Sequence, residues 1–491
     1  MYYPDLELFK KKAAQGNLIP VYTEIIADLE TPVSAFIKLG ESSYSYLLES
    51  AETGRGIGRY SFLGSNPSLI FRSRGTEAEI IENGESKKVR TENPLMVLKG
   101  LLKNYRPVRD ETLPPFTGGA VGYLSYDCVR FFEKIPEEKL DELNLPDLYF
   151  ILTDTLIIFD RLMNKIKIVA NAFVSGDPEK SYREAVSRIE TLLGQLMKKS
   201  PGTYFQPPPS RALPGLSSNF SPQEFEGAVL KAQEYIRAGD ILQVVLSQRF
   251  TTEISAPPID IYRALRTINP SPYMFYLKFD DLHLIGSSPE IMVQALNGRV
   301  RVRPIAGTRP RGISTLDDRH LEEELLNDPK ERAEHIMLVD LGRNDVGRVA
   351  AAGSVQVSDF MEIEKYSHVM HIVSNVEGKL RPGEDAYAAL AATFPAGTVT
   401  GAPKIRAMEI IEELELSRRG PYAGAVGYFS FDGNLDSCIT IRTIIVVGKT
   451  AFIQAGAGIV ADSVPDREHR ECLNKAQALF RAVQMAEGGL K

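Results

Sequence analysis

Two pairs of glutamates are spaced for metal chemistry, Glu331 with Glu334 and Glu468 with Glu471. Each E-x-x-E pair lies just after a proline in a segment with a helical pattern, and about 3.6 residues per helical turn puts both carboxylates of a pair on one face. Two such faces brought together would suit Mg²⁺, which takes one or two protein carboxylates and leaves its other positions to water and substrate. The alternative is that these acids only favour the positive ends of two helices and stay in water.

A Thr- and Gly-rich turn at 397–404, GTVTGAPK, is a candidate anion site. It is not a phosphate-binding P-loop, because that pattern requires glycine directly before the lysine, and Pro403 stands before Lys404. The turn leads into a predicted amphipathic helix, so its free backbone N–H groups suit an anion such as a carboxylate. Gly456-Ala457-Gly458, which follows a predicted strand at 451–455, offers a second close approach to the backbone.

His368 and His371 form an H-x-x-H pair. No H-E-x-x-H pattern and no Cys/His cluster accompanies them in the sequence, so zinc is not favoured. A single general base and a hydrogen-bonded core histidine are the two interpretations that the pair leaves open.

Several elements that would position these residues have clear sequence signals. Ser221, Pro222 and Glu224 form a capping box, and Gly239 is a C-terminal stop, which together predict a helix. Residues 241–250 alternate, which predicts a strand. Its two faces carry Leu242, Val244 and Leu246 on one side and Gln243, Ser247 and Arg249 on the other.

Asn297-Gly298 predicts a two-residue turn between strands at 291–296 and 299–305. The basic residues of the second strand, Arg299, Arg301 and Arg303, share one face, which indicates a polar sheet face rather than an RNA site. The pentapeptide GAVGY occurs twice, at 119–123 and 424–428. This repeat predicts equivalent strands in two related halves, or an architectural need that the two segments share.

Length and composition limit the remaining possibilities. The 491 residues predict two or three domains, and we expect an N-terminal domain at 1–198, a Pro-rich linker at 199–220 and a catalytic domain at 221–491. The net charge of −7 argues against nucleic acid or an anionic membrane as the main partner. Three scattered cysteines, and no apolar run of membrane-spanning length, predict a cytoplasmic protein.

Four motifs resemble those of the chorismate-utilising enzymes, and among them component I of anthranilate synthases. They are PIAGTRPRG at 304–312, ERAEHIMLVDLGRND at 331–345, GTVTGAPK at 397–404 and GAGIVADSVPDREHRECLNK at 456–475. The resemblance covers nearly the whole chain. It implies an α+β fold in which two large antiparallel sheets stack face to face with helices on the outside, and it implies the Mg²⁺-dependent conversion of chorismate and ammonia to anthranilate and pyruvate.

Two positions separate the branches of that family. Related aminodeoxychorismate synthases carry a nucleophilic lysine where this chain has Ala306, and the water-adding isochorismate and salicylate enzymes carry a lysine base where it has Gln243. An amide cannot deprotonate water at neutral pH, and alanine cannot attack. The resemblance therefore favours the anthranilate branch, with aminodeoxychorismate synthase as the alternative that Ala306 disfavours.

The resemblance also implies roles for individual residues. Glu334 and Glu471 would bind Mg²⁺, with Glu331 and Glu468 close by as outer ligands or water anchors. Glu290 would protonate the departing C4 hydroxyl group, and His371 would remove the C2 proton in the second step. Gln243 and Thr398 complete the catalytic set. The implied substrate pocket comprises Gly307, Thr308, Tyr422, Arg442, Gly456, Ala457, Gly458 and Lys475.

A tryptophan-inhibitor site and a partner subunit are further implications of the resemblance. The inhibitor site would comprise Leu48, Glu49, Ser50, Pro272, Tyr273, Met274, Val426 and Tyr428, with Glu49 pairing with the ammonium group of tryptophan. None of the three cysteines stands in a G-x-C-x-G sequence, so glutamine would require a separate amidotransferase subunit in a hetero-oligomer, implied to be a heterotetramer. Two alternatives from other classes are a tryptophan-binding regulator with a decayed catalytic site and, more weakly, a di-iron carboxylate enzyme.

Overall fold

The computed structural model describes residues 1–40, 42–50, 58–198, 215–365 and 369–490. Within these ranges the chain forms two antiparallel sheets of twelve strands each. The strands are β1 (Leu18–Ile26), β2 (Tyr44–Glu49), β3 (Tyr60–Ser65), β4 (Leu69–Arg74), β5 (Glu77–Glu82), β6 (Glu85–Arg90), β7 (Gly119–Leu124), β8 (Leu148–Thr153), β9 (Thr155–Asp160), β10 (Lys165–Phe173), β11 (Ser217–Ser218), β12 (Gln243–Glu253), β13 (Tyr273–Phe279), β14 (Leu282–Ser288), β15 (Ile291–Leu296), β16 (Arg299–Val302), β17 (Ile305–Pro310), β18 (Gln356–Lys365), β19 (Val369–Lys379), β20 (Gly401–Ala402), β21 (Ala425–Ser430), β22 (Leu435–Ile439), β23 (Thr443–Val447) and β24 (Thr450–Ile459).

Each sheet contains a block of strands from the N-terminal part of the chain beside a block from the C-terminal part. The first sheet has the order β1-β10-β9-β3-β2-β13-β14-β23-β24-β12-β11, with β20 paired to β12. The second has the order β17-β19-β16-β15-β22-β21-β7-β8-β4-β5-β6, with β18 paired to β19. Each sheet therefore takes strands from before and after residues 199–214, which lie outside the described residues. The predicted division into two domains and a linker stays a prediction.

The two sheets pack face to face through one apolar layer. Tyr46 and Phe275 of the first sheet are buried in the same cluster as Val121 and Val426 of the second. Alternate residues of these strands point to the outer faces, as the two-residue period of a strand requires, and helices cover them there. This arrangement confirms the expected α+β fold with stacked antiparallel sheets.

Helices cover the outer faces of both sheets. They are α1 (Leu6–Ala13), α2 (Pro32–Leu39), α3 (Pro94–Leu102), α4 (Pro178–Leu196), α5 (Pro222–Ala238), α6 (Pro258–Ile268), α7 (Thr315–Asn327), α8 (Pro329–Gly347), α9 (Ala386–Thr393), α10 (Lys404–Leu414) and α11 (Pro465–Glu487), with 3₁₀ turns at Tyr126–Phe131 and Gly397–Val399. None of the described helices combines the length and apolar character needed to cross a membrane.

The two GAVGY segments are neighbours, because β7 and β21 pair antiparallel near the centre of the second sheet. Gly122 lies opposite Gly427, and Val121 and Tyr123 lie opposite Tyr428 and Val426. The two equivalent glycines therefore face each other, and the other repeat positions are related by a local two-fold axis between them. The repeat is explained by this pairing of two equivalent strands.

Most of the local signals hold in the structure. Helix α5 begins with the Ser221 capping box and ends at Gly239, which has a φ of 84°. The hairpin from β15 to β16 turns at Asn297 and Gly298, where both φ angles are positive as a two-residue turn requires. One detail of the strand predicted at 241–250 is wrong. Leu242 precedes β12 and is 66% exposed, so it does not share the buried face of the strand.

Candidate active site

Ten of the residues singled out from the sequence line one cavity of about 210 Å³. It opens beside β12 and β24 of the first sheet, between the N-terminal halves of α8 and α11 and the 3₁₀ turn that precedes β20. These elements are far apart in sequence, so the fold itself assembles the site. The ten residues are Gln243, Glu290, Glu334, Thr398, Tyr422, Arg442, Gly456, Gly458, Glu471 and Lys475.

The two helices that carry the glutamate pairs begin as the sequence predicts. In α8 the N-cap Asp328 accepts hydrogen bonds from the backbone N–H groups of Lys330 and Glu331, and Pro329 opens the first turn. Helix α11 opens with Pro465 and has no side-chain cap. Glu334 and Glu471 stand one or two turns into these helices and face the same cavity.

The electrostatic environment of Glu334 is unfavourable to its negative charge. Burial raises the pKa of Glu334, Gln243 opposes that shift through the 3.2 Å hydrogen bond from its Nε2, and Glu331 and Glu471 add to it by repulsion. Burial also raises the pKa of Glu468, and Glu471 contributes again. A cation between the two helices would relieve this accumulation of negative charge.

The donor set fits magnesium. Among the described residues, no three His, Cys, Asp or Glu side chains converge as in an all-protein metal cage. Mg²⁺ does not need such a cage, since it usually binds one or two carboxylates and fills its octahedron with water and substrate oxygens. Glu334 and Glu471 would hold it, while Glu331 accepts a hydrogen bond from Arg309 and Glu468 lies outside the cavity lining.

Glu290 is the candidate proton donor of the cavity. It follows β14 and is 8% exposed, and burial raises its pKa to about 8, an effect that the Thr398 side chain partly opposes. At neutral pH Glu290 is therefore mainly a neutral acid that can donate a proton. Thr398 Oγ1 is buried close to Glu290 and makes no hydrogen bond of good geometry among the described residues, so a bound ligand could satisfy it.

Arg442 supplies positive charge to the same cavity from a left-handed backbone conformation. Its φ is 51°, which is unusual for a residue with a side chain and is typical of strained functional positions. Burial lowers the pKa of Arg442, and the neighbouring Tyr422 and Glu471 oppose that shift. An anionic ligand would offset the cost of burying this guanidinium, which can grip a carboxylate through two parallel hydrogen bonds.

The glycines of β24 allow other side chains to approach the strand closely. A Cβ at Gly456 would lie 2.9 Å from the Tyr422 hydroxyl, and one at Gly458 would lie 2.7 Å from Gln243 Nε2. Lys475 Nζ donates hydrogen bonds to the carbonyl of Gly456 at 2.9 Å and to Glu471 at 2.5 Å. Ala457 lies between the two glycines but points to the opposite, apolar side of the sheet.

His371, Gly307 and Thr308 form a second group that does not line the cavity. His371 Nδ1 lies 2.9 Å from the carbonyl oxygen of Gly307 and 3.0 Å from Thr308 Oγ1. Because that carbonyl can only accept, Nδ1 carries the proton and Nε2 is the basic nitrogen of the neutral ring. Burial lowers the pKa of His371, and nearby Arg442 adds to the shift. His368 lies outside the described residues.

The predicted tryptophan-site residues converge at the pairing of β2 with β13, but they divide between two faces. Leu48, Tyr273, Val426 and Tyr428 lie in the layer between the sheets. Glu49 and Met274 are paired neighbours on the outer face, beneath α6. Ser50 directly follows β2, and its hydroxyl is buried without a partner among the described residues. Pro272 precedes β13.

Glu49 is already surrounded by positive charge. Its carboxylate accepts hydrogen bonds from Arg161 at 2.8 Å and from the Tyr262 hydroxyl at 2.6 Å, and Arg266 Nε lies 3.1 Å away. A ligand ammonium group at this carboxylate would therefore compete with two arginines. The sequence around Glu49 does not predict these partners, because they lie far away in the chain, in the turn before β10 and in α6.

Sequence reasoning missed other residues of the site. Gln454 lines the cavity and donates a hydrogen bond to Ser247, and Val245 and Val399 also line it. Behind this wall lies a fully buried ion pair, Glu415 with Arg419. Their i, i+4 spacing at the end of a predicted helix is typical of exposed surface pairs, so the sequence contains no signal of their burial.

The chain is similar in sequence to known proteins along almost its whole length. The family model for the chorismate binding enzyme matches residues 45–481. The chain is 50% identical over 490 residues to anthranilate synthase component 1 of Acetivibrio thermocellus, covering 99% of each protein. It is 52% identical over 485 residues to the protein of the same name from Aquifex aeolicus, covering 98% of each.

Solved structures of related proteins have the same fold as this chain. The crystal structure of anthranilate synthase component I from Streptococcus pneumoniae superposes with a TM-score of 0.79 at 38% identity, covering 93% of this chain and 99% of that one. The menaquinone-specific isochorismate synthase of Escherichia coli superposes with a TM-score of 0.70 at 19% identity, covering 98% of this chain and 99% of that one, which shows a shared fold alone.

Proposed function

Because the chain belongs to the chorismate binding enzyme family, we propose that it is the large, catalytic subunit of an anthranilate synthase. The proposed reaction converts chorismate and ammonia to anthranilate, pyruvate and water, which is the first committed step of tryptophan biosynthesis. Relatives at about half identity over almost the full chain carry the name of this component.

The observation that carries the proposal is the composition of one cavity. It combines a protonated acid, Glu290, with a buried arginine, Arg442, and with carboxylates on two helices. Gln243 lines the cavity, and by the family resemblance it stands where the water-adding enzymes carry a lysine base. These groups suit a dianionic substrate that loses a hydroxyl group and receives an uncharged external nucleophile.

In the first proposed step, Arg442 and Lys475 hold carboxylate groups of chorismate. Glu290 donates its proton to the C4 hydroxyl group, so that the C4–O bond breaks and the oxygen leaves as water. Ammonia adds to C2 with its lone pair, and the ring double bonds shift to the position that the leaving group vacates. A pKa near 8 suits Glu290 to this role, because the acid is then protonated at neutral pH yet releases its proton readily.

In the second proposed step, His371 Nε2 accepts the proton from C2. The C3–O bond breaks, and the enolpyruvyl group takes up a proton and leaves as pyruvate. The ring becomes aromatic, which supplies the driving force, so this step needs mainly a well-placed neutral base. The lowered pKa of His371 and the hydrogen bond that fixes its tautomer make it a neutral base. It lies near Arg442 beside the cavity and would reach C2 from there.

Magnesium is the proposed cofactor, and Glu334 and Glu471 are the residues that would hold it. When bound, the metal ion would neutralise the ring carboxylate of chorismate and orient the ring. Glu331 and Glu468 would lie close to the ion as outer ligands or would anchor water molecules bound to it. The hydrogen bond from Gln243 keeps one oxygen of Glu334 oriented.

The nitrogen source and the control of the reaction are further parts of the proposal. The described cysteines, Cys128, Cys438 and Cys472, are buried, and burial raises the pKa of all three thiols, so they do not suit a glutaminase. We expect a separate amidotransferase subunit to supply ammonia from glutamine, in a cytoplasmic hetero-oligomer. Tryptophan is the proposed inhibitor.

An assay of the purified chain with chorismate, MgCl₂ and ammonium tests the function. We expect anthranilate and pyruvate in equal amounts, identified by fluorescence and mass. Glutamine alone should give no product until an amidotransferase subunit is added. Aminodeoxychorismate as the product would support the alternative that Ala306 disfavours, and binding of tryptophan without any turnover would support a regulator instead of an enzyme.

A further inference from the structure

Arg419 is an arginine that is completely enclosed by the protein. It is 1% exposed, and it lies just after α10 among groups from its own segment and from three distant parts of the chain. Its Nη1 donates a hydrogen bond to the carbonyl oxygen of Val399 at 2.7 Å, and its Nη2 donates to that of Val245 at 2.8 Å. The guanidinium also lies over the rings of Tyr126 and Tyr422, with centroids at 4.7 and 5.7 Å.

Glu415 completes the environment of this guanidinium. It accepts from Arg419 Nε at 3.0 Å and from Nη2 at 2.6 Å, so the two side chains form a bidentate pair. The same carboxylate accepts hydrogen bonds from the backbone N–H and the hydroxyl group of Ser247, both at 2.8 Å. The hydroxyl of Ser247 in turn accepts from Gln454, so the network reaches β24.

The groups that Arg419 contacts are walls of the proposed active site. Val245, Val399 and Tyr422 line the cavity, whereas Arg419 itself does not. Val245 belongs to the strand that carries Gln243, and Val399 directly follows Thr398 in the 3₁₀ turn. One planar, rigid cation therefore bonds the backbone of two neighbouring walls of the cavity, β12 and the 3₁₀ turn, and it supports the Tyr422 ring on a third side. The two walls also pair directly, since the Val245 N–H donates to the Thr400 carbonyl at 2.8 Å.

We propose that Arg419, held by Glu415, is a positioning residue that fixes the Thr398 turn against β12 and so sets the distance across the cavity between Thr398 and Gln243. The inference rests on the proposed function, because that distance matters only for a substrate bound between these groups. Both carbonyls belong to cavity-lining residues, so a shift of the guanidinium would displace two walls of the cavity.

The test substitutes Arg419→Lys, which keeps the charge but removes the planar fork. We expect kcat to fall about tenfold to a hundredfold with little change in the KM for chorismate, because a misplaced Thr398 turn costs the transition state more than substrate binding. Hydrogen–deuterium exchange at the amides of Val399 and Thr400 should become faster. This second readout needs no turnover, so it reports on the turn even if the wild-type chain makes no anthranilate.

Arg130→Lys is the matched control. Arg130 is also a mostly buried arginine, bonded to Asp127 at 2.7 Å and to Glu412 of α10 at 2.6 Å, but neither partner lines the cavity. We expect both variants to lower Tm and only Arg419→Lys to lower kcat and to loosen the turn. Equal kcat losses in the two variants, or unchanged exchange at 399–400 in Arg419→Lys, would overturn the proposal.

If Arg419→Lys does not fold, Glu415→Gln provides the same test with a smaller perturbation of the ion pair. The glutamine keeps the volume and can still accept from Ser247, but it no longer neutralises the guanidinium, so the fork loses its charge-assisted anchor. The expected result is a smaller loss of kcat in the same direction with faster exchange in the turn. A folded Glu415→Gln variant with wild-type kcat and exchange contradicts the inference.

Discussion

Gln243 Nε2 donates a hydrogen bond to Glu334 Oε1 across 3.2 Å, and both side chains line the proposed active site. The amide orients this carboxylate without adding a charge to it. A lysine at the same position would instead bring an ammonium group to a carboxylate that we propose as a metal ligand. The neutrality of residue 243 therefore matters for the metal as well as for the choice of nucleophile.

We expect Gln243→Lys to raise the magnesium concentration needed for half-maximal activity by about tenfold to a hundredfold, because the ammonium group competes with the cation for Glu334. Activity titrated with MgCl₂ measures this change. Gln243→Met is the control, since it removes the hydrogen bond without adding charge, and its magnesium requirement should change much less. The same requirement in both variants would contradict the competition.

The pH dependence of the rate should reflect the ionisation of Glu290. Its pKa is raised to about 8, so the acid is protonated at neutral pH and loses its proton as the pH rises through that value. We expect kcat to fall on the alkaline side around pH 8. Glu290→Gln should lower kcat by about 10²–10⁴-fold, because the amide cannot donate the proton, and should abolish that alkaline limb. An unchanged limb in the variant would assign it to another group.

The same residue gives a stability test with a definite sign. The folded chain holds the Glu290 proton more tightly than the unfolded chain, where the carboxyl has its ordinary pKa of 4.5. The associated stabilisation is therefore full below pH 4.5 and is lost as the pH rises to about 8. Glu290→Gln has no such loss. Its Tm relative to wild type should rise from about pH 5 to about pH 9, and a constant difference would show that burial does not shift this acid.

Magnesium binding can be tested without turnover. Glu334→Gln and Glu471→Gln should each weaken the binding of Mg²⁺, measured by calorimetry with MgCl₂ alone, by at least about tenfold, because each removes a charged oxygen ligand. Asp466→Asn is the control on the same helix α11. Asp466 is 52% exposed, pairs with Arg470 and does not line the cavity, so its loss should leave the affinity unchanged. Equal affinities in all four proteins would argue against this site.

Sequence reasoning predicted the parts of this site that depend on local signals. Prolines, caps and spacing identify the starts of α8 and α11, and they put Glu334 and Glu471 on defined helix faces whichever partner those faces meet. Glycines at 456 and 458 indicate close approach of a neighbour. The neighbours themselves, Tyr422 and Gln243, become visible only in the fold.

The features that the sequence did not predict depend on contacts between distant segments. Arg419 looks like a surface residue until β12 and the 3₁₀ turn close over it. Glu49 looks available to a ligand cation until Arg161 and Arg266 reach it from elsewhere in the chain. A single sequence records the charge of a residue and its local spacing, but burial and pairing of charges are set by tertiary structure.

Tryptophan inhibition should depend on Ser50. Its hydroxyl group is buried and has no partner among the described residues, so a ligand that bonds it gains a hydrogen bond without breaking another. We expect submillimolar tryptophan to lower the wild-type rate, and Ser50→Ala to raise the concentration for half-inhibition about fivefold or more without changing kcat.

Ser61→Ala is the control for the tryptophan prediction. Ser61 on β3 also has a buried hydroxyl without a partner among the described residues, but it is not part of the predicted inhibitor site. Inhibition of Ser61→Ala should match wild type. A wild-type rate that tryptophan leaves unchanged, or equal sensitivity in the two variants, would remove Ser50 from the inhibitor site.

The facing glycines of the repeat should be indispensable for stability. A Cβ at Gly122 would lie 1.9 Å from the carbonyl oxygen of Tyr149, and one at Gly427 would lie 2.2 Å from that of Asp436, so neither strand can accept a side chain without moving its neighbour. We expect Gly122→Ala to destabilise the protein by about 3 kcal/mol or more. Gly194 in α4 has open space around a Cβ, so Gly194→Ala should instead stabilise it by about 0.5–1 kcal/mol. Thermal unfolding of the two variants measures these opposite shifts, and a Gly122→Ala protein as stable as Gly194→Ala would show that β7 and β8 are free to separate.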